Sequence, residues 1–363
     1  MRIESIETFQ RDSHISVVRI RTEDGHEGYG QVSPHGADLS THILHKMVAP
    51  FFIGRDPWDI DVLSEEFVRK TYKFPSSLSL RALCGIDTAI WDLLGKSVSQ
   101  PVYKLLGGKA REKVPVYASS MSREISPEDE GARLRELVEQ HGFRCVKVRI
   151  GEVNGRDGDA APGRTKKLIP TIREALGDDV DINADANGAF SVSQAIRTGR
   201  MLEEYGYYHF EEPCPYQQIE NMAKVASALD IPVAAGEQDS VLEQIHRIIA
   251  MGAVDIIQPD VGYIGGMARA RRAVHMAEAA GIPCTPHAAN LSLIQVFTLH
   301  LAMAFPSISQ YQEWSIEDDS WAQDIYEPIP VVVDGDVEVS GAPGWGVDID
   351  SDFLDKSERN STV

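Results

Sequence analysis

Beyond Val114 the sequence repeats one pattern, in which a short apolar segment is followed by a longer segment with helical periodicity. Parallel strands need helical connections of this kind, and eight strand–helix units in succession are typical of a closed (β/α)8 barrel. We therefore predict an α/β chain whose main part is a TIM barrel. The predicted strands are 114–118, 145–150, 180–185, 207–211, 232–236, 254–258, 282–286 and 309–313, and the predicted helices include 191–205, 241–251 and 265–280.

The regions on either side of the predicted barrel have a different pattern. Residues 2–9 and 15–21 alternate apolar and polar side chains, which predicts two strands. The segment 78–95 has apolar residues at helical spacing and ends at Gly95. From Trp321 onward a strand-like segment is followed by a Gly/Pro-rich one. We expect this tail to return and pack on the N-terminal region.

The composition limits the partners and the location of the protein. Lys and Arg total 35 against 55 Asp and Glu, a net charge of −20, which argues against nucleic-acid binding and against binding to anionic membranes. The four cysteines have no C-x-x-C spacing, which favours buried free thiols. The sequence has no signal-peptide pattern and no apolar run approaching a membrane span, so we predict a cytoplasmic protein.

An ionisable residue ends or follows each of the last six predicted strands. The carboxyl ends of barrel strands meet at one mouth, where the active sites of such barrels lie. A single Asp or Glu at a strand end is typically a helix cap or a solvated loop residue. Six in register on consecutive strands instead predict a functional site. They are Asp185, Glu211, Glu237, Asp260, His287 and Glu313.

The residue types in this series indicate two kinds of chemistry. Asp185, Glu211 and Glu237 are three carboxylates on adjacent strands, and oxygen ligands of this kind suit Mg²⁺ better than Zn²⁺. His287 and Asp260 follow neighbouring strands. An Asp beside a His fixes the tautomer of the ring and raises its basicity, so this pair predicts a general base.

The second predicted strand carries two cations, Lys147 and Arg149. Residues two apart on a strand point to the same side, so the barrel interior or the helix layer must accept both side chains. They are either surface charges or, across the mouth from three carboxylates and a metal, part of the active site.

Together these segments resemble the enolase superfamily and, within it, the mandelate racemase subgroup. The matching motifs are GIDTAIWDLLGK, PVYKLLGG, VKVRIG, DINADANGAF, FEEP, AAGEQ, IIQPDVGYIGG, PHAAN, QEW and PGWGVDID, which span nearly the whole chain. The resemblance implies an α+β capping domain, formed by residues 1–113 and the tail 321–363, over a barrel of residues 114–320. It also implies a homo-oligomer, either a dimer or an octamer.

The resemblance implies a role for each ionisable residue of the series. Asp185 of DAN, Glu211 of FEEP and Glu237 of AGE resemble the Mg²⁺ ligands of the family. Asp260 of QPD and His287 of PHA resemble its His–Asp dyad.

Three further positions match the family motifs. Glu313 of QEW resembles the residue that hydrogen-bonds the substrate carboxylate opposite the metal. Asn187 and Glu212 resemble groups that neighbour the ligands.

The resemblance implies that the enzyme removes the proton α to a carboxylate and that Mg²⁺ stabilises the enediolate. Many members carry Lys-x-Lys on the second strand, whereas this chain has Lys147-Val148-Arg149, and Arg is a poor proton acceptor. With His287 as the one secure base, we predict a hydro-lyase, a sugar-acid dehydratase that acts on an aldonate or aldarate of five or six carbons. Such an enzyme serves carbohydrate catabolism.

Other functions are compatible with the same residues. The first alternative is a racemase or epimerase of a hydroxy acid or amino acid derivative, with Lys147 and His287 on opposite faces. A non-catalytic metal-binding paralogue and a Schiff-base aldolase using Lys147 are further alternatives. Loops around 12–35 and 70–77 are predicted lid segments, with His14 and His35 among the side chains that could reach the substrate.

Overall fold

The computed structural model describes residues 1–74, 77–308 and 311–363. The strands, in chain order, are β1 (Ile3–Arg11), β2 (Ile15–Thr22), β3 (Glu27–Gln31), β4 (Val114–Ser119), β5 (Cys145–Arg149), β6 (Asp181–Asp185), β7 (His209–Glu211), β8 (Val233–Ala235), β9 (Ile256–Ile257), β10 (Gln312–Ser315), β11 (Tyr326–Glu327), β12 (Val332–Val333), β13 (Asp336–Val337), β14 (Asp348–Ile349) and β15 (Glu358–Thr362).

The helices surround these strands, with a π-helical segment at Leu44–Val48 and a 3₁₀ turn at Pro57–Asp59. The α-helices, in chain order, are α1 (Ala37–Ile43), α2 (Ala49–Phe52), α3 (Ile60–Lys70), α4 (Ser77–Ser97), α5 (Val102–Leu105), α6 (Pro127–His141), α7 (Arg164–Leu176), α8 (Val192–Glu204), α9 (Ile219–Ala226), α10 (Leu242–Ala250), α11 (Val261–Ile264), α12 (Met267–Ala279), α13 (Leu293–Ala304), α14 (Ser320–Gln323) and α15 (Ser351–Lys356).

The N-terminal region forms an antiparallel sheet with strand order β15-β1-β2-β3. The long helix α4 packs against β3 at very short range. A Cβ atom at Gly28 or Gly30 would overlap the backbone of Leu93 or Ala89, so the glycines of the EGYG segment allow this contact. Strands β1 and β2 and helix α4 confirm the two strands and the helix predicted for this region.

A buried carboxylate, Asp92 on α4, joins three parts of this region. It accepts hydrogen bonds from the backbone nitrogens of Tyr29 (2.8 Å) and Trp345 (2.9 Å) and from Nζ of Lys96 (2.6 Å). Because Trp345 belongs to the tail, one side chain holds β3, α4 and the tail together.

We predict that Asp92→Ala destabilises the protein by about 3 kcal/mol, because two backbone N–H groups lose their acceptor. The urea midpoint of unfolding measures the loss. Asp352→Ala is the matched control, since Asp352 is 76% exposed and forms an ion pair with Lys356 on the surface of α15. Removing such a pair costs less than about 1 kcal/mol. Equal midpoints for the two variants would contradict the proposed role of Asp92.

The barrel begins at β4 and confirms the predicted fold class. Strands β4 to β9 are parallel and pair in sequence order, and β10 pairs with β4 to close the ring. The predicted seventh strand, 282–286, is reduced to isolated bridges, in which Cys284 pairs with Ile257 and Ile308. Pro283 and Pro286 explain this difference, because proline has no N–H to donate to a ladder. Residues 309 and 310 of the predicted eighth strand lie outside the described residues.

The predicted helix 265–280 is confirmed as α12, and α8 and α10 also match their predictions, while the short helix α11 precedes α12. Gly265 and Gly266 separate α11 from α12 with φ angles of 103° and 106°, which continue no α-helix. Asp87 of α4 accepts hydrogen bonds from the backbone of Met267 (2.5 Å) and Ala268 (3.3 Å). The break therefore lets the N-terminal region cap a barrel helix.

The tail contacts both regions rather than the N-terminal region alone. Strand β15 pairs with β1, as the prediction requires. The hairpin of β12 and β13 instead pairs antiparallel with the start of β4, where Val337 is opposite Val114. The pairing of β4 with β5 covers only Ala118 and Ser119, so this edge of Val114 is free to accept the hairpin. The division at residues 113 and 320 stays a prediction.

Two predictions from composition can be compared with the fold. All four cysteines are buried and free, as predicted. Within the described ranges no helix combines the length and the apolar character that a membrane crossing requires. The cytoplasmic location stays a prediction.

Candidate active site

The predicted site residues lie together at the carboxyl ends of the barrel strands. Arg149 pairs with Asp185 across β5 and β6, and Asp185 pairs with Glu211 across β6 and β7. Asp260 and His287 form the next bridge around the ring. All of these residues are at most 5% exposed. Parallel register thus brings charges that are distant in the sequence into one buried cluster.

The carboxylates of Asp185, Glu211 and Glu237 form a compact triad. One oxygen from each lies within 4.8 Å of the others, an arrangement that could hold a metal ion. Burial raises the pKa of Glu237, and one buried oxygen of this residue, Oε2, has no hydrogen-bond partner. Three carboxylates so close together repel one another unless a cation lies between them.

Lys147 lies next to this triad and is fully buried. Its Nζ is 3.0 Å from Glu211 Oε1, 3.6 Å from Asp185 Oδ2 and 2.7 Å from Glu313 Oε1. The barrel interior therefore accepts this cation, and its ammonium group is surrounded by carboxylates. Burial raises the pKa of Glu211, but Lys147 and His209 outweigh burial and hold this pKa well below its usual value.

The predicted dyad forms on the opposite side of the mouth. Nδ1 of His287 lies 2.6 Å from Asp260 Oδ2. The other oxygen of Asp260 accepts a hydrogen bond from the backbone of Tyr263 (2.8 Å), which caps α11 and fixes the carboxylate. Nε2 of His287 therefore faces the mouth, 3.4 Å from Glu237 Oε2.

The carboxylates around His287 favour its charged form. Burial lowers the pKa of His287, but Glu237, Glu313 and Asp260 together raise it to about 10. A bound divalent cation would draw charge away from Glu237 and reduce this effect. These neighbours thus stabilise the imidazolium, the form that the ring takes once it has accepted a proton.

Glu313 lies between the two cationic groups. It accepts hydrogen bonds from Ser119 Oγ (2.7 Å) and from the backbone of Ala288 (3.0 Å), and its Oε2 is 3.7 Å from His287 Nε2. Burial raises the pKa of Glu313, but Lys147 and His287 lower it to about 2. Glu313 therefore stays ionised and fixed in position.

Arg149 also enters the site, as its spacing from Lys147 predicts. Its guanidinium forms an ion pair with Asp185 and donates to Asn187 Oδ1 (3.1 Å) and to the carbonyl of Ser120 (3.1 Å). Nδ2 of Asn187 donates to Asp185 Oδ2 (3.3 Å) and Glu212 Oε2 (3.4 Å). Asn187 and Glu212 are thus neighbours of the triad, as the resemblance implies.

Two residues of the site have no prediction from the sequence. His209 is fully enclosed, with Nε2 3.5 Å from Glu211 Oε2. Its position two residues before Glu211 on the same strand is a signal that could have found it, because alternate residues share a face. Arg123 lies in the loop after β4 and donates to Asn187 Oδ1 (2.7 Å). No periodicity in the sequence marks a loop residue of this kind.

The side chains of the first predicted lid segment pack against an aromatic ring, whereas a side chain of the second segment is exposed. His14 and His35 lie 5.7 Å apart by ring centroid and both contact the ring of Trp321. Tyr72 is 69% exposed, and Pro75 and Ser76 of the second predicted lid segment lie outside the described residues.

Two family models match the chain and identify it. "Enolase C-terminal domain-like" matches residues 129–353, and "Mandelate racemase / muconate lactonizing enzyme, N-terminal domain" matches residues 3–107. The chain therefore belongs to the mandelate racemase/muconate lactonizing enzyme family of the enolase superfamily, as the motifs predict.

Curated relatives and solved structures agree with this assignment. Arabinonate dehydratase of Saccharolobus solfataricus is 30% identical over 92% of this chain and 88% of its own length. D-xylonate dehydratase of Haloferax volcanii is 29% identical over 93% and 84%. Dehydratases are hydro-lyases, so these relatives confirm the predicted class of enzyme.

Two crystal structures have nearly the same fold. A candidate racemase from Roseobacter denitrificans has a TM-score of 0.97 and 45% identity, with both chains covered completely. A mandelate racemase/muconate lactonizing protein from Paracoccus denitrificans, complexed with magnesium, has a TM-score of 0.90 and 30% identity over 99% of each chain.

Proposed function

We propose that this enzyme is a Mg²⁺-dependent dehydratase of a sugar acid, an aldonate or an aldarate, and that it produces a 2-keto-3-deoxy acid. One observation carries the proposal: a single well-oriented base, His287, faces the acidic triad, with Nε2 3.4 Å from Glu237. The curated relatives act on arabinonate and xylonate by their names, which supports a sugar acid as the substrate.

The residues present fit a divalent cation. Asp185, Glu211 and Glu237 offer three buried carboxylate oxygens within 4.8 Å, and hard oxygen ligands of this kind suit Mg²⁺. When bound, Mg²⁺ supplies positive charge that offsets the negative charge developing on the substrate carboxylate and so makes its α-proton more acidic.

The dyad performs the proton transfers of the reaction. Nε2 of His287 accepts the proton from C2, and the electron pair of that C–H bond moves toward the carboxylate group. The imidazolium, stabilised by Asp260 at 2.6 Å, then returns the proton to the C3 hydroxyl. That hydroxyl leaves as water while the C2–C3 double bond forms, and the resulting enol becomes the 2-keto-3-deoxy acid. One proton is removed and returned, so no further reactant is needed.

The cations opposite the dyad stabilise charge in this mechanism. Lys147 is already engaged by Glu211 and Glu313, so it holds a substrate carboxylate beside Glu313 rather than accepting a proton. Arg149 cannot act as a base, and its guanidinium is held by Asp185, Asn187, Ser120 and Met121, so it supplies positive charge at a fixed position.

Proton NMR in D₂O with Mg²⁺, across a set of aldonates and aldarates, tests the proposal. Loss of the C3 carbinol signal and growth of a 3-deoxy methylene signal is the expected result. Deuterium exchange at C2 without loss of water would replace the dehydratase by an epimerase. No reaction and no exchange with any sugar acid would contradict the proposed substrate class.

A racemase or epimerase is the second candidate, and the 45% identity to a candidate racemase favours it. Lys147 and His287 contact opposite oxygens of Glu313, at 2.7 and 3.7 Å, so the two side chains flank one position. This reaction requires Lys147 to lose its proton while surrounded by three carboxylates, which is why we rank it second.

We predict that Arg149→Lys lowers kcat/KM for dehydration by about 10- to 100-fold, because Lys cannot reproduce the forked contacts to Asp185, Asn187 and Ser120. Initial rates of keto-acid formation measure this. Arg135→Lys, an exposed position on α6, is the control. Unchanged dehydration together with new deuterium at C2 of the recovered substrate would show instead that a Lys at this position acts as a second base.

We also propose the partners of this enzyme. The partner is a small carboxylate substrate, and the assembly is a dimer or an octamer of identical chains. The acidic net charge of −20 continues to argue against nucleic acid.

A further inference from the structure

Two guanidinium groups share one acceptor at the mouth of the barrel. Nη2 of Arg123 and Nη1 of Arg149 both donate to Asn187 Oδ1, at 2.7 and 3.1 Å. Nε of Arg123 donates to the carbonyl of Gly151 (3.0 Å). A third arginine, Arg164, is buried close by and donates to the carbonyl of Arg149 (2.9 Å). Three positive charges therefore converge on one side of the active site.

Arg123 differs from Arg149 in having no acidic partner. Arg149 is paired with Asp185, but none of the ion pairs within residues 1–74, 77–308 and 311–363 includes Arg123. Its two acceptors, a carbonyl and an amide oxygen, are neutral. Burial and the neighbouring charges of Arg149 and Arg164 lower the pKa of Arg123 to about 10. A half-buried cation beside other cations is unfavourable, and a bound anion would remove that cost.

One nitrogen of the Arg123 guanidinium is available to donate a hydrogen bond to a ligand. In the part of the chain that the structure describes, Nη1 of Arg123 forms no hydrogen bond with a protein acceptor, while Nε and Nη2 are held by Gly151 and Asn187. The side chain is half-buried, so one edge of the group is fixed while part of the side chain is accessible from outside. A planar group held in this way is suited to a carboxylate.

We propose that Arg123, together with Arg149, binds a second carboxylate of the substrate, so that the substrate is an aldarate with an acid group at each end rather than an aldonate. This inference rests on the proposed dehydratase function and selects between its two substrate classes. One carboxylate lies beside Lys147 and Glu313, and the other lies at the arginines. In a chain with a net charge of −20, a dicarboxylate needs a local positive cluster of this kind.

Matched pairs of aldarate and aldonate, with the same chain length and configuration, test the inference. We expect kcat/KM of the wild-type enzyme to be about 10- to 100-fold higher for the aldarate. Arg123→Gln should remove most of this preference by lowering kcat/KM for the aldarate much more than for the aldonate. Arg123→Lys should give an intermediate preference, and Arg135→Gln, on the exposed face of α6, should give the wild-type ratio. Melting temperatures confirm that each variant is folded.

The other outcomes separate this inference from the function on which it rests. The wild-type enzyme could have the same kcat/KM for the two substrates, or Arg123→Gln could lower kcat/KM equally for both. Either result would overturn the binding of a second carboxylate at Arg123 and would leave the proposed dehydratase function intact. A preference for the corresponding aldonate phosphate over the aldarate would overturn the choice of a carboxylate. If no sugar acid is dehydrated, the proposed function fails. In that case, calorimetric titration with glutarate, a dicarboxylate, and with butyrate, a monocarboxylate, tests the anion site by itself. Equal affinity of the wild type and of Arg123→Gln for glutarate would refute the anion site.

Discussion

Replacing His287 with Asn is expected to lower the rate of dehydration by about 10⁴-fold, the upper range for a general acid–base residue. His287 is the proton acceptor and the proton donor of the proposed reaction, and Asn can be neither. Its Nε2 faces the mouth 3.4 Å from Glu237, while Nδ1 is held 2.6 Å from Asp260. Keto-acid formation under saturating substrate and Mg²⁺ measures the loss.

The same variant should keep its affinity for Mg²⁺, because His287 lies beside the triad of Asp185, Glu211 and Glu237 and contributes no oxygen to it. Calorimetric titration with Mg²⁺ checks this second expectation. His45→Gln is the matched control, since His45 is a partly buried histidine that joins Thr8 and Thr362 at 2.8 Å, away from the barrel mouth. Wild-type turnover in His287→Asn would remove the dyad from the mechanism.

The barrel could be predicted from the sequence because its repeat of strand and helix is a local pattern. Departures from the prediction occur where single residues change the backbone. Pro283 and Pro286 remove ladder donors from the seventh strand, which is reduced to isolated bridges. The hairpin of β12 and β13 pairs with β4, a long-range contact that no local pattern could place.

The core of the site could be predicted for a different reason. Parallel strands in register carry their last residues to one end, so the spacing of Asp185, Glu211 and Glu237 already indicated a cluster. The residues that support the cluster were harder to predict from the sequence. Arg123 reaches Asn187 from a loop whose conformation is set by distant contacts, among them the hydrogen bond to Gly151.

Replacing Glu237 with Gln is expected to weaken Mg²⁺ binding by on the order of 100-fold, or about 3 kcal/mol. The amide keeps an oxygen but loses a full negative charge. Glu237 is also the member of the triad with the least compensation from the protein. Asp185 is paired with Arg149 and Glu211 with Lys147, whereas Oε2 of Glu237 has no hydrogen-bond partner and lies 3.4 Å from Nε2 of His287, which must release its proton to act as a base.

This imbalance makes a second, independent readout possible. Without metal, Glu237→Gln removes repulsion between carboxylates within 4.8 Å, so its melting temperature in EDTA should equal or exceed that of the wild type. Added Mg²⁺ should then raise the melting temperature of the wild type more, because stabilisation by a ligand grows with its affinity for the folded state. Glu130→Gln, which removes a buried carboxylate on α6 outside the triad, should behave as the wild type. An unchanged Mg²⁺ affinity in Glu237→Gln would refute the ligand set, since the variant removes the charge of one of its three proposed members.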